Sequence, residues 1–157
     1  MKRKSPLLLA VIVLSSAVVA LCAALPSAVV DPVNAQQPPN AEVQSTTAEE
    51  LKTKVVKNQV TVIDVRSTEA YANSVQKIKG AIHVKPRRLK YRLDFEPLKS
   101  VSKDSEVVTY CSCPNDEASI AAARILMDAG FKRVRFLKGG WREWQKLGGP
   151  VESLPRT

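Results

Sequence analysis

A cysteine stands where a short apolar run gives way to a loop. Val107 to Tyr110 is followed at once by Cys111, then by Ser112, Cys113, Pro114, Asn115, Asp116 and Glu117. Ala118 then opens an Ala-rich run with helical periodicity. The pattern predicts a strand, a loop and a helix N-terminus, with a thiol at the hand-over. In an open α/β sheet, ligands bind outside the carboxyl ends of the strands. A helix N-terminus there presents free backbone N–H groups and a partial positive charge, which lower a thiol's pKa and hold anions. Cys111 is therefore expected to be a nucleophile, with the amides from Ser112 to Ala118 as an anion cradle around it. A thiol that is already ionised needs no general base. That suits a chain whose single histidine, His83, lies in a short apolar run and reads as a structural group.

Other chemistries fit less well. A cysteine phosphatase needs an arginine six positions after the cysteine as a bidentate phosphate clamp. Glu117 holds that position, and its charge has the wrong sign. Two loop cysteines and one distant histidine do not supply the four ligands of a closed zinc site, so no metal is expected. Cys113 either closes a small disulfide with Cys111 or fills space in the loop. Asp64 and Arg66 flank the carboxyl end of another apolar run. They are expected to tie down the loop that follows, with a supporting role at the site as the alternative.

Those side chains need a scaffold. A length of 157 residues suits one domain with an extension. Residues 1–35 read as an export signal or an N-terminal membrane anchor. "MKRK" is a basic start, Pro6 to Leu25 is apolar, and Val33 to Ala35 offers small residues of the kind a signal peptidase reads. The apolar stretch has about the ~20 residues a bilayer span needs, so residues 6–25 are either removed or kept as a tether. In both cases the rest of the chain is expected beyond the cytoplasmic membrane, periplasmic or otherwise extracytoplasmic. Cys22 is a poor lipoprotein site, because Leu21 precedes it where a small residue is wanted.

The whole chain carries a formal net charge of +9. Without residues 1–35 it keeps 21 basic and 14 acidic residues, or +7. That balance draws anionic small molecules or anionic surfaces. No aromatic–basic interleaving of the kind that stacks bases is evident in the sequence, so no nucleic-acid partner is expected.

Residues 36–45, polar and Pro-bearing, read as a linker. The domain is expected over 46–152, with 153–157 as a polar tail. Thr46 or Thr47 with Glu49 or Glu50 is a capping-box pattern, and Leu51 and Val55 continue one helical face. Gln59 to Val65 is a nearly continuous apolar run, as a strand buried on both faces requires. Ser67 or Thr68 caps the next helix. Lys79-Gly80 turns into a short strand, Ala81 to Val84. Nine basic residues fall between Lys77 and Lys103 against Asp94 and Glu96 alone. This is a solvated helix face beginning at Pro86, or else a basic rim beside the site. After the Ala118–Gly130 helix, Lys132 to Leu137 is a strand whose alternating charges place it near a sheet edge. Trp141 and Trp144, three apart on a last helix, are expected to pack in the core. Val151 adds a brief strand. Strands alternating with helices at short spacing predict an α/β fold, with a mainly parallel central sheet and helices on both faces.

With those residues placed, the chain resembles the rhodanese (sulfurtransferase) family in its single-domain form. The marks are "VIDVRSTEAY", "IKGAIHV", "VVTYC", "AGFKRVRFLKGGWREW" and "GGPV", in that order. The resemblance covers roughly Thr46 to Val151. It implies that Cys111 carries a persulfide, passing sulfane sulfur from a small sulfur donor or a protein persulfide to an acceptor thiol. No organic cofactor is implied. Cys113 could then attack that persulfide and release sulfide. Two other functions stay open: a thiol–disulfide redox protein using Cys111 and Cys113, and a non-catalytic binding module of the same fold.

The loop itself departs from the family pattern. Cys-x-Cys-Pro-Asn resembles a subgroup also seen fused to membrane proteins, and Lys77 stands where a histidine is common. Asp116 and Glu117 lie where an anion-clamping arginine often sits, and carboxylates there repel a dianion such as thiosulfate. Glu117→Arg should therefore raise turnover with thiosulfate. A steady-state rate equal to or below wild type would overturn the charge argument.

Overall fold

The computed structural model describes residues 42–154. The export or anchor segment, most of the linker and residues 155–157 lie outside the described residues. Five parallel strands form the central sheet, in the order β1 (Gln44–Thr46), β6 (Arg133–Leu137), β5 (Glu106–Tyr110), β2 (Thr61–Asp64) and β4 (Ile82–His83). A second, antiparallel pair joins β3 (Gln76–Ile78) to β7 (Val151–Ser153). The helices are α1 (Ala48–Val56), α2 (Thr68–Ala72), α3 (Leu89–Arg92), α4 (Glu117–Asp128) and α5 (Gly140–Leu147). This is the α/β architecture expected from the sequence.

Neighbouring residues of β2 and β5 feed opposite faces, because side chains alternate across a strand. Ile63 and Val107 join Leu89, Ala122, Ala123, Leu126, Phe131 and Val134 under α3 and α4. Val62, Val108 and Tyr110 join Leu51, Val55, Leu137, Trp141 and Trp144 under α1 and α5. Both tryptophans are buried, as their spacing suggested, and Trp144 Nε1 donates to the Pro150 carbonyl at 3.2 Å. All buried residues of both clusters fall between Val43 and Trp144. A chain beginning at residue 36 therefore contains every buried member of both clusters among the described residues.

Local signals are realised at α1 and α2. Thr47 Oγ1 accepts from Glu50 N, and the Glu50 carboxylate accepts from Thr47 N, each at 3.2 Å, which completes the capping box. Ser67 Oγ accepts from Ala70 N at 3.1 Å and caps α2.

Four expectations need correction. The chain enters the sheet before residue 46: Val43 is buried, and Gln44 and Ser45 pair with Arg135 and Phe136. Ser153 likewise belongs to β7 and pairs with Gln76, so the polar tail begins later. Strand β6 is second in the sheet, with β1 outside it. Its charges are tolerated there because Glu106, buried at the start of β5, draws Arg133 (3.3 Å) and Arg135 (3.8 Å) together with Lys54. Strand β3 was not foreseen. Its Lys77 pairs with Glu152 of β7 at 2.7 Å and donates to the Ala81 carbonyl, so this polar edge is held by cross-strand contacts.

The basic segment is not one long helix face but a short 3₁₀ turn at Pro86–Arg88 followed by α3. Tyr91 and Phe95 stand exposed within it, their ring centroids 4.7 Å apart. Aromatic–basic interleaving therefore does exist on this surface.

Leu126 is wholly buried between α4 and the sheet. Leu126→Ala should cost about 2–5 kcal/mol, read from urea unfolding monitored by circular dichroism. A cost near zero would mean that the α4 face is not a packed core.

Candidate active site

Strand β5 delivers Cys111 to the carboxyl end of the sheet, and α4 begins at Glu117. Between them Asp116 N donates to the Cys113 carbonyl at 3.4 Å, and Asp116 adopts a left-handed conformation with φ +56°. Asp116 is the residue before the helix, yet its carboxylate does not cap it. The carboxylate reaches across to α5 and accepts from Gly139 N at 2.8 Å. The first-turn amides of α4 have no acceptor within the helix and no side-chain cap, so they stay available to an anion.

A second bond joins the same loop to α5: Trp141 N donates to the Cys111 carbonyl at 2.8 Å. Gly140 makes that approach feasible. Its φ is +52°, and a Cβ there would lie far inside contact distance of the Cys111 carbonyl oxygen. Ser119, in the first turn of α4, is buried; its hydroxyl donates to the Asp116 carbonyl at 2.7 Å and lies 3.7 Å from Cys111 Sγ. Ser119, Gly140 and Trp141 are contributors that sequence reasoning did not assign to the site. The "GGW" turn was the signal available for two of them.

Cys111 and Cys113 are joined by a disulfide. Cys111 is only 1% exposed, set against the α4-side core with Val65, Ala122 and Ala123. Cys111 was expected as a nucleophile, with a small disulfide to Cys113 among the readings left open, and the structure shows that disulfide, with Cys113 half-buried. Ser112, Pro114, Asn115 and Glu117 are exposed, Ala118 packs against the core, and Asp116 is buried. The loop therefore splits its two acids. The Asp116 charge is engaged at the N-terminus of α5, while the Glu117 side chain faces solvent.

Beside the loop lies a groove of about 660 Å³ between the start of α1, the loop and α5. Pro114, Asp116, Lys138 and Glu143 line it, with Glu49 and Lys146. Its walls carry both signs of charge.

Asp64 and Arg66 sit on the opposite face of the sheet from Cys111. Arg66 is 1% exposed and its guanidinium meets the Asp64 carboxylate through Nε at 3.0 Å and Nη2 at 2.6 Å. Arg66 Nη2 also donates to the Gln76 carbonyl at 3.1 Å, and Tyr110 Oη donates to Asp64 Oδ2 at 2.7 Å. The Ile78 amide in turn donates to Tyr110 Oη at 3.3 Å. Tyr71, Tyr110 and Trp141 surround the guanidinium, the nearest ring centroid 4.7 Å from Cζ. The pair thus ties β2, β3 and β5 together behind the residue that precedes the cysteine. His83 stacks on Tyr71 with centroids 3.6 Å apart, and its Nδ1 stands 3.8 Å from Asp64 Oδ1, beyond hydrogen-bond length.

Burial raises the pKa of Asp64, but the combined pull of His83, Arg66 and Tyr110 outweighs it and holds the carboxyl below its ordinary 3.8. Burial, reinforced by the negative Asp64, drives the Tyr110 phenol far up.

An open parallel α/β sheet with a cysteine at the strand-to-helix turn, ahead of a helix without a side-chain cap, defines a class of cysteine-loop domains. Within it, the chain belongs to the rhodanese-like domain family, whose model matches residues 47–147. Among solved structures, it is similar to the Alr3790 protein from Anabaena sp., at 30% identity and a TM-score of 0.59, covering 69% of this chain and 82% of that one. The BH2092 protein from Bacillus halodurans is 31% identical with a TM-score of 0.59, covering 70% and 77%. A human single-domain sulfurtransferase shares the fold at 22% identity and a TM-score of 0.57, covering 66% and 96%. No curated protein matches the chain.

A folded-state pKa below the ordinary value means that the Asp64 network contributes fully above pH 3.8 and is lost as pH falls through the lower folded value. Asp64→Asn should cost about 3–5 kcal/mol near neutrality, because it leaves Arg66 buried and unpaired. It should also flatten the acid limb of the stability profile. Urea midpoints on both sides of pH 3.8 check this, and an unchanged slope in the variant would assign acid sensitivity to other carboxylates.

Proposed function

We propose that the protein is a sulfurtransferase in which Cys111 carries sulfane sulfur as a persulfide and Cys113 resolves it. The observation that carries this reading is the position of Cys111: at the carboxyl end of β5, directly before the uncapped N-terminus of α4, in a rhodanese-like domain. The human structural neighbour is itself described as a sulfurtransferase.

In the reduced state the Cys111 thiolate attacks the outer sulfur of a donor. A new S–S bond forms, the donor's bond to that sulfur breaks, and the electron pair leaves with the donor remnant. The terminal persulfide anion then lies in the field of the α4 amides, which favour negative charge. An acceptor thiolate removes the outer sulfur and restores the Cys111 thiolate. The alternative exit uses Cys113. Its thiolate attacks Cys111 Sγ, the Cys111–Cys113 bond forms, and the terminal sulfur departs as hydrosulfide. The product of that step is the disulfide seen in the structure. An external dithiol returns the pair to its reduced state.

The apolar run at residues 6–25 puts this activity outside the cytoplasm in the same proposal. A second reading, a thiol–disulfide redox protein, is favoured by the bonded state of the two cysteines itself.

Intact mass of the chain from residue 36 onward, reduced and then exposed to thiosulfate or a low-molecular-weight persulfide, distinguishes them. A gain of one sulfur on wild type, stable in Cys113→Ser and absent in Cys111→Ser, is the expected result. Loss of two hydrogens with no sulfide released would favour the redox reading. An unchanged mass with every donor would overturn both.

A further inference from the structure

We infer that the basic and aromatic surface of residues 85–103 is a docking face for an anionic lipid bilayer. This segment carries seven basic residues, Lys85, Arg87, Arg88, Lys90, Arg92, Lys99 and Lys103, against Asp94 and Glu96, a net +5. Arg92 donates to the Glu96 carbonyl and Lys103 lies over the Phe131 ring, so these two are engaged within the fold. The side chains of Lys85, Arg87, Arg88, Lys90 and Lys99 are exposed and make no ion pair among the described residues.

Between them Tyr91 is 63% and Phe95 42% exposed. Two solvated rings give up apolar hydration when they enter an interface, and unpaired cations around them select one of negative charge. Leu89 and Leu98 anchor the segment in the core beneath, so the surface is presented on a packed support rather than a free loop.

A bilayer is the occupant that the chain outside the described residues favours. Pro6 to Leu25 is an apolar run of spanning length, and only residues 26–41 separate it from Glu42. Sixteen residues reach at most about 53–58 Å when extended. The strand leading from Glu42, β1, and the strand leading to the basic segment, β4, are the two edges of the sheet, roughly 19 Å apart at ordinary strand spacing. A domain held on that length of chain can set the 85–103 face on the membrane surface. Single-stranded nucleic acid fits less well: the two rings lean on each other at 41° and do not offer separate open faces for successive bases. The inference does not depend on the chemistry of Cys111.

The test is co-sedimentation of the chain from residue 36 onward with vesicles of phosphatidylglycerol and phosphatidylcholine, beside vesicles of phosphatidylcholine alone. Wild type should partition to the anionic vesicles, and salt should weaken it. Arg87→Glu with Arg88→Glu should lower binding by at least about tenfold. Lys57→Glu with Arg124→Glu changes net charge equally on exposed positions elsewhere and should alter it by less than about threefold. Tyr91→Ser with Phe95→Ser should also weaken binding, with the circular dichroism spectrum unchanged. Equal losses from the two charge pairs would overturn the proposal, since attraction would then be a property of net charge alone. So would wild-type binding that ignores lipid charge, no vesicle binding at all, or tighter binding to a polythymidine oligonucleotide or a polyglutamate peptide than to anionic vesicles.

Discussion

Two hydrogen bonds between the cysteine loop and the first turn of α5 are the constraint on which this site depends. The Cys111 carbonyl accepts from Trp141 N, and the Asp116 carboxylate accepts from Gly139 N. Together they bind both ends of the loop to a helix whose own core residues, Trp141 and Trp144, are buried in the sheet. The direction of the Cys111 carbonyl toward α5 turns its side chain to the other face, toward α4 and Ser119. The left-handed Asp116 then lets α4 start without a side-chain cap. Helix amides that a capping carboxylate would have occupied are left without a side-chain acceptor. An acidic residue next to an anion site looks like a conflict in the sequence. In three dimensions its charge is committed to a different helix.

Behind the loop, the Asp64–Arg66–Tyr110 network performs a different task. A buried ion pair is a weak source of net stability, because desolvation offsets most of the attraction, but breaking one is costly. Here every partner is on a different strand: Asp64 ends β2, Tyr110 ends β5, and the Gln76 carbonyl that Arg66 also holds begins β3 of the second, two-stranded sheet. Geometry that is expensive to break in one place therefore sets the register of three strands. Tyr110 is the residue before Cys111, so the position of Cys111 is held from both faces: by polar contacts behind it and by the α5 bonds beside it. The aromatic rings around the guanidinium add cation–π attraction and exclude water that would compete for Asp64.

Much of this was legible in the residues. The capping box at Thr47 and Glu50 uses contacts only three residues apart, so local sequence contains all of it. The continuous apolar runs of β2 and β5 identify strands covered on both faces, and the parallel α/β fold follows from their alternation with helices. The cysteine at the end of such a run, with a helix behind it, is also a local pattern. Strand β6 misled because two arginines in alternation look like an exposed edge. Their counter-charge, Glu106, lies 27 residues away from the nearer of them and only the sheet brings it alongside. Strand β3 was invisible because its partner, β7, is at the far end of the domain. Tyr91 and Phe95 drew no notice in the basic run, and their exposure follows from α3 being only four residues long.

The sequence by itself determined the fold class, most of the helices and strands, and the place of Cys111 between a strand and a helix, because each rests on periodicity or on neighbours within a turn or two. Tertiary structure alone decided what those residues face. It sent Asp116 to α5, set Glu106 against Arg133 and Arg135, and covered β6 with β1. Such pairings form between segments separated by tens of residues, and the free energy that selects them comes from burying shared surface, which no local window of sequence contains.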